Sequence, residues 1–259
     1  MKVSLIDYTG SGHEDPADYA ATVLIFTKST RLEMKPGLFD EIWTNWDSAR
    51  KLAELKYMAN TIPSSWEFVD YTFMIEGVTR AFTHQFVRSR QFSFAQQTMR
   101  VLNVEGWDYL AGPSIDSRPL KTGERDTTIK DSYDSAMTFI ADSYDEMIEA
   151  GADIEDARGV LPTNILTNIV AKCNMRTFVE LVRKRSSPRT QDEYRRVLDA
   201  MKEEVRKVHP WITLFVERDF DRAANDICNE IKILEASGQF TKETATRLIK
   251  YVDQMRGQS

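Results

Sequence analysis

A run of arginines without acidic neighbours is the part of this sequence best suited to chemistry. Residues 77–104 include Arg80, Arg88, Arg90 and Arg100 but no Asp or Glu, although the whole chain has a formal net charge of -6. Guanidinium groups offer planar, paired donors to phosphate. The pattern therefore indicates a local site for an anionic ligand. The alternative is a solvated basic face, because runs of like charge are usually solvated.

The first half of this window has helical periodicity. Apolar residues at positions 78, 81, 82 and 86 predict a helix, and Arg80, His84 and Arg88 would form a second stripe along it. Beyond Arg88 the sequence becomes polar. Arg88 and Arg90 are two residues apart, so an extended loop would align them and a helix would not.

Composition excludes several classes of protein. The chain has 259 residues, of which 42% are hydrophobic and 29% charged, as in soluble globular proteins. Its pI of about 5.3 argues against a nucleic-acid polymer or a membrane surface as partner. Cys173, Cys228 and three histidines give no pattern for a metal site or a disulfide framework, so we expect a reducing cytoplasm. No apolar run approaches the roughly 18 residues that a membrane span needs.

The patterns along the chain predict an α+β fold. We expect an antiparallel or mixed sheet flanked by long helices, with an extra C-terminal helical pair. Turn signals and apolar spacing place strands at 3–6, 66–75 and 101–110, and helices at 16–26, 38–58, 78–88, 132–149, 162–182, 191–208, 217–237 and 242–255.

The order of residues in the arginine window resembles the signature of the flavin-dependent thymidylate synthases. The chain reads Glu76-Gly77-Val78-Thr79-Arg80-Ala81, then His84-Gln85-Phe86-Val87-Arg88-Ser89-Arg90, then Ser93, Thr98 and Arg100. Weaker matches to that family are Trp66-Glu67-Phe68 with Tyr71-Thr72-Phe73, the stretch 157–162 (ARGVLP), and Asn174-x-Arg176 followed by Arg185. The resemblance covers residues 1–215, so we expect a domain of that kind there and a C-terminal helical extension at 216–259.

The resemblance implies a reaction and a set of site residues. Family members convert dUMP to dTMP with FAD, using NADPH and methylenetetrahydrofolate as co-substrates. By correspondence, Arg185 and Thr98 are the candidate catalytic residues, and the substrate-binding residues are Gln85, Gln96, Thr98, Arg100, Arg158 and Arg185. The same correspondence assigns the flavin to Thr72, Arg88, Ser89, Arg90, Gln96, Asn174, Arg176 and Glu180.

Four positions depart from the family around this one pocket. Phe68 and Ser89 each stand where the family has His, Thr98 replaces Ser, and Glu180 replaces Asn. Three hypotheses follow: a dUMP methylase with a divergent pocket, an enzyme that methylates or hydroxymethylates dCMP, and a non-catalytic relative that binds FAD or a nucleotide. The family also implies a homotetramer.

Overall fold

The computed structural model describes residues 1–28, 35–61, 63–99, 108–120, 127–185, 190–217 and 219–256. The chain forms two compact units, each made from two stretches. Unit 1 comprises Met1–Ile6 and Thr72–Lys172, and unit 2 comprises Asp7–Tyr71 and Cys173–Ser259.

The strands form a four-stranded sheet with the order β1-β2-β4-β3. Strand β1 spans Lys2–Tyr8, β2 spans Asp70–Thr79, β3 spans Ser93–Gln96 and β4 spans Leu166–Asn174. Strand β3 runs antiparallel to β4, with Ser93 opposite Lys172 and Gln96 opposite Ile169.

Helices occupy most of the remaining described chain. They are α1 Pro16–Lys28, α2 Leu38–Asn45, α3 Ser48–Met58, α4 Arg80–Phe86, α5 Ile129–Glu149, α6 Ile154–Ala157, α7 Met175–Arg185, α8 Asp192–Val208, α9 Thr213–Val216, α10 Asp219–Ala236 and α11 Lys242–Arg256. Short 3-10 turns lie at Pro63–Phe68, Arg158–Val160 and Pro210–Ile212. The predicted α+β class is confirmed, and the predicted C-terminal pair is present as α10 and α11, which pack through Ala224, Cys228, Ile249 and Val252.

The largest error in the sequence-based prediction concerns residues 162–182. We expected a single long helix, but the chain forms strand β4 and then helix α7. In β4 the buried residues alternate at Thr167, Ile169, Ala171 and Cys173, which is the period of a strand. Two of these four, Thr167 and Ala171, are not strongly apolar, so the sequence displayed only the four-residue spacing of Ile169 and Cys173.

Three smaller predictions also need correction. The helix expected at 38–58 is two helices, because the chain is extended at Trp46 and Asp47 caps α3 through its side chain. The strand expected at 66–75 begins only at Asp70, after a 3-10 turn. The helix expected from 78 begins at Arg80, since β2 continues to Thr79. Most of the strand predicted at 101–110 lies outside the described residues.

Aromatic side chains of the arginine window pack together in unit 1. Phe82 and Phe86 stack on one face of α4 with ring centroids 5.1 Å apart. Phe86 also contacts Phe92 and Phe94, whose centroids lie 5.4 and 5.0 Å away. The ring of Phe86 is fully buried, so helix α4, the turn after it and strand β3 share one core.

A buried polar group in unit 2 connects distant parts of the chain. The His209 side chain has no exposed surface, and its Nδ1 lies 3.0 Å from the Tyr71 hydroxyl. Its Nε2 lies 3.1 Å from the Thr9 carbonyl oxygen, which can only accept. Nε2 therefore carries the proton, and Nδ1 accepts from Tyr71. Burial lowers the pKa of His209 to about 4.

We predict that this histidine makes the protein less stable in acid. Between its unfolded pKa near 6.5 and its folded pKa of about 4, the unfolded chain binds a proton that the folded chain does not. The free energy of unfolding should therefore fall by about 3 kcal/mol as the pH drops through that window. Denaturant titrations at fixed protein concentration would measure this. His209→Gln should remove that part of the slope, and His13→Gln, at an exposed histidine, should retain it.

Candidate functional site

The turn from β2 into α4 fixes the start of the arginine window in unit 1. Thr79 caps α4, its hydroxyl accepting from the Phe82 backbone N–H at 3.0 Å. The next two backbone N–H groups, of Arg80 and Ala81, donate to the carbonyls of Ile165 and Thr163 at 3.1 and 2.7 Å. These bonds place Arg80 beside the segment that follows Arg158.

An open cleft of about 430 Å³ lies at this junction. We call it the arginine cleft. It is lined by Arg80, His84, Met99, Glu155, Arg158 and Pro162, among others. The cleft therefore combines the first motif of the arginine window with the ARGVLP stretch, which the resemblance assigns to the nucleotide.

The two guanidinium groups of the arginine cleft have different surroundings. Arg158 Nε donates to the Glu155 carbonyl at 3.0 Å, and its Nη2 lies 3.7 Å from the Glu155 carboxylate. Arg80 Nη2 donates to the Gln97 carbonyl at 2.9 Å, and no described carboxylate pairs with it. Partial burial, and then repulsion from Arg158, lower the pKa of Arg80. The cleft therefore has an excess of positive charge.

Residue 97, next to Thr98, is held from two sides. The Gln97 backbone N–H donates to the Asn168 carbonyl at 3.0 Å, and its side-chain oxygen accepts from Asn168 Nδ2 at 3.2 Å. Asn168 Oδ1 in turn accepts from the Gly77 N–H at 3.0 Å. Gly77 has a φ of 63°, a conformation that favours glycine. Arg80 holds the carbonyl of Gln97 from the other side.

The other predicted residues of unit 1 lie around this framework. Arg88 and Arg90 are exposed in the turn after α4, with Ser89 half-buried between them. Gln96 donates its side-chain amide to the Thr83 hydroxyl at 3.0 Å. The remaining three are half-buried Thr72 and Gln85 and exposed Thr98, whereas Arg100 lies outside the described residues.

The predicted residues of unit 2 form an ion-pair chain on helix α7. Arg176 Nη1 lies 2.6 Å from the Glu67 carboxylate, and its Nε lies 3.2 Å from Glu180 Oε1. The other oxygen of Glu180 lies 3.6 Å from Lys184 Nζ. Hydrogen bonds with Glu67 and Glu180 raise the pKa of Arg176. Both oxygens of Glu180 therefore already face cations.

Two further predicted residues lie at the ends of this helix. Asn174 Oδ1 accepts from the Thr177 backbone N–H at 2.9 Å and so caps the first turn of α7. The Arg185 guanidinium lies over the ring of Tyr194, 5.1 Å from its centroid. That cation–π contact restricts the position of the Arg185 guanidinium.

The correspondence with the family assigned no role to Arg80 or His84, although Arg80 belongs to the arginine window. Both belong to the stripe predicted along the first helix, and that stripe was the available signal. Its third member, Arg88, follows the end of α4 and does not line the cleft. Among the described residues, no three His, Cys, Asp or Glu side chains are placed to hold a metal ion. No helix within the described ranges has the length and apolar character to cross a membrane.

Comparison with known proteins identifies the class to which this chain belongs. The family model described as "Thymidylate synthase complementing protein" matches residues 4–211. The flavin-dependent thymidylate synthase of Clostridium tetani is 31% identical over 219 residues, which cover 81% of this chain and 84% of that protein. That of Geobacter sulfurreducens is 30% identical over 213 residues, covering 82% and 85%. That of Sulfolobus acidocaldarius is 34% identical over 216 residues, covering 81% and 74%.

The chain belongs to the family of thymidylate synthase complementing proteins. The resemblance inferred from the arginine window is thereby confirmed, as is the prediction that the protein is an enzyme of this kind.

We predict that Asn168 stabilises the segment that ends at Thr98. Asn168→Ala removes the bonds to Gln97 Oε1 and from the Gly77 N–H, and should lower the free energy of unfolding by about 1–3 kcal/mol because a half-buried donor is left without its acceptor. Hydrogen exchange at the Gln97 amide should also become faster.

Gln97→Ala is the matched control for this change. It removes one of the two side-chain bonds but leaves the Gly77 N–H paired, so its cost should be smaller. Equal costs for the two variants would contradict the importance of the Gly77 contact.

Proposed function

We propose that this protein is a flavin-dependent thymidylate synthase that converts dUMP to dTMP. The observation that carries the proposal is the arginine cleft, because a chain of this family has an excess of guanidinium charge at the position that its motif assigns to a nucleotide phosphate. The reaction is dUMP, methylenetetrahydrofolate and reduced FAD giving dTMP, tetrahydrofolate and FAD, and NADPH then reduces the FAD. In this proposal the enzyme works as a homotetramer in the cytoplasm.

The phosphate of dUMP would be bound at the arginine cleft. Arg158 is the predicted phosphate ligand that lines it, and its Nη2 is 3.7 Å from Glu155, a loose contact that a phosphate dianion can replace. Gln85 and Arg100 are the further phosphate ligands that the resemblance implies. Thr98 would contact the pyrimidine, directly after the residue that Asn168 holds.

The base must become nucleophilic at C5 for carbon transfer. Negative charge then builds on a ring oxygen, and a fixed cation stabilises it. Arg185 is the candidate, because its position over the Tyr194 ring restricts the motion of the guanidinium before substrate binds. The proton lost from C5 is replaced by the new carbon–carbon bond.

Several residues suit a flavin diphosphate. Arg88 and Arg90 are exposed, and neither pairs with a carboxylate in the described part of the chain, so both guanidiniums are available to an anion. Ser89, Thr72, Gln96 and Asn174 add polar groups in this proposal. The bound flavin supplies hydride, and the protein orients it and sets the charge around it. Arg176, already paired with Glu67 and Glu180, has less capacity to spare.

The pairing of Glu180 bears on the choice of base. To accept from the amino group of dCMP, Glu180 would have to share or give up its contacts, because Oε1 faces Arg176 and Oε2 faces Lys184. We therefore favour dUMP over dCMP. The non-catalytic alternative has no observation of its own in support.

Anaerobic turnover tests the proposed function directly. Purified protein should have a flavin absorption spectrum and, with NADPH and methylenetetrahydrofolate, should form dTMP from dUMP. Offering dCMP separately is the essential comparison. Product from dCMP alone would overturn the assignment of the base. Bound flavin without product from either nucleotide would indicate a non-catalytic relative that binds FAD or a nucleotide.

We predict that Glu180→Asn strengthens FAD binding about fivefold without changing the preference for uracil. The substitution removes one negative charge near Arg176, and a unit charge at such a distance contributes about 1 kcal/mol in water. Titration of the apoprotein with FAD and competition between dUMP and dCMP would measure both effects. The control is Glu54→Gln, which breaks the pair with Lys28 and should change neither. A change in the ratio of dUMP to dCMP affinity, in either direction, would show that Glu180 reads the base.

A further inference from the structure

Arg80 is rigidly placed by its backbone but has an incompletely paired side chain. Its N–H donates to Ile165 and the adjacent N–H to Thr163, so the first turn of α4 is fixed against the chain that follows Arg158. Its Nη2 reaches the Gln97 carbonyl at 2.9 Å. Its Nε is buried and has no partner among the described residues. A charged donor left in this way costs free energy unless a ligand compensates.

The surroundings of Arg80 favour an anion as that ligand. Glu155, the acidic residue among the described residues of the arginine cleft, pairs with Arg158, so the cleft has two guanidiniums and one carboxylate. Like charges in one partly desolvated cleft repel each other, and an anion bound between them converts repulsion into attraction. A phosphate monoester has the charge for this, and its oxygens can accept from both fork-shaped donors.

Arg80 also contacts the segment that carries Thr98. Its bond to the Gln97 carbonyl links the guanidinium to the residue directly before Thr98. Asn168 holds the amide and side chain of the same residue, so residue 97 has little freedom to move independently.

We propose that Arg80 is a further phosphate-binding residue and that it positions the Thr98 segment when the phosphate is bound. This inference rests on the proposed function and adds to it a residue of the arginine window to which the resemblance gave no role. A guanidinium in this position makes nucleotide affinity depend on the phosphate, and couples phosphate binding to the geometry beside the pyrimidine.

The test compares a nucleotide with its nucleoside. Dissociation constants for dUMP and deoxyuridine are measured by calorimetry for the full chain and for Arg80→Gln, Arg80→Lys and Arg118→Gln. Arg118 is the matched control, because it also donates to a backbone carbonyl, that of Ser114, but lies outside the cleft. Thermal unfolding of each variant is recorded in parallel.

Arg80→Gln should weaken dUMP binding about 10- to 100-fold and deoxyuridine binding less than threefold, since a charged hydrogen bond to the phosphate is lost. Arg80→Lys should recover most of the dUMP affinity but leave kcat reduced, because an ammonium lacks the planar fork that meets both the phosphate and the Gln97 carbonyl. Arg118→Gln should match the unaltered protein in every measurement.

Two results would overturn the inference. One is dUMP binding by Arg80→Gln within threefold of the unaltered protein. The other is an equal loss for dUMP and deoxyuridine, which indicates a structural role only. If the unaltered protein forms dTMP and Arg80→Gln behaves like it, this inference alone fails. If the unaltered protein binds dCMP and not dUMP, the assignment of the base fails. The role of Arg80 is then decided by whether Arg80→Gln weakens the binding of dCMP more than that of deoxycytidine. Binding of neither nucleotide would remove both proposals.

Discussion

Two backbone hydrogen bonds at the start of helix α4 determine much of what unit 1 can do. The N–H groups of Arg80 and Ala81 have no acceptor within their own helix, as is general for a first turn, and here they donate to Ile165 and Thr163. The same bonds that satisfy the helix end therefore join two motifs about eighty residues apart in sequence. If this junction were displaced, Arg80 and Arg158 would no longer share a cleft.

Whether an arginine is ion-paired with a carboxylate shows better than the number of arginines which of them are available to a ligand. Arg118 is paired with Asp116, Arg206 with Glu203, and Arg176 with both Glu67 and Glu180. Exposed pairs of this kind contribute little to stability, but they reduce the attraction of the arginine for another anion. In the arginine cleft the balance differs, because Arg80 bonds to a carbonyl and keeps its full charge.

Local sequence patterns predicted the long helices and the motif. They failed where contacts between distant parts of the chain determine the secondary structure or bring residues together. Helix α8 was predicted over nearly its full length, and its buried apolar residues lie along one helical face. The helix predicted from residue 132 begins earlier, at Ile129, directly after the Thr128–Asp131 capping box. Strand β4 was missed because its alternating buried positions include Thr167 and Ala171, which are not strongly apolar, so only a helical spacing was visible. The nearness of Arg80 to Arg158 could not be predicted from local patterns either. It depends on a tertiary contact, in which the first turn of α4 bonds to the chain at Thr163 and Ile165.

The buried His209 contact has a consequence for the order in which the chain can fold. Its bond to Thr9 spans 200 residues of sequence, and its bond to Tyr71 spans 138. Closing such long loops costs entropy before any contact repays it, so these bonds form late. On the ribosome, the continuous stretch 72–172 of unit 1 emerges complete, whereas residues 7–71 must wait for the chain beyond 173. Until residue 209 has been synthesised, Tyr71 and the Thr9 carbonyl lack this buried polar partner, so the hydrogen bonds that join them can form only late in synthesis.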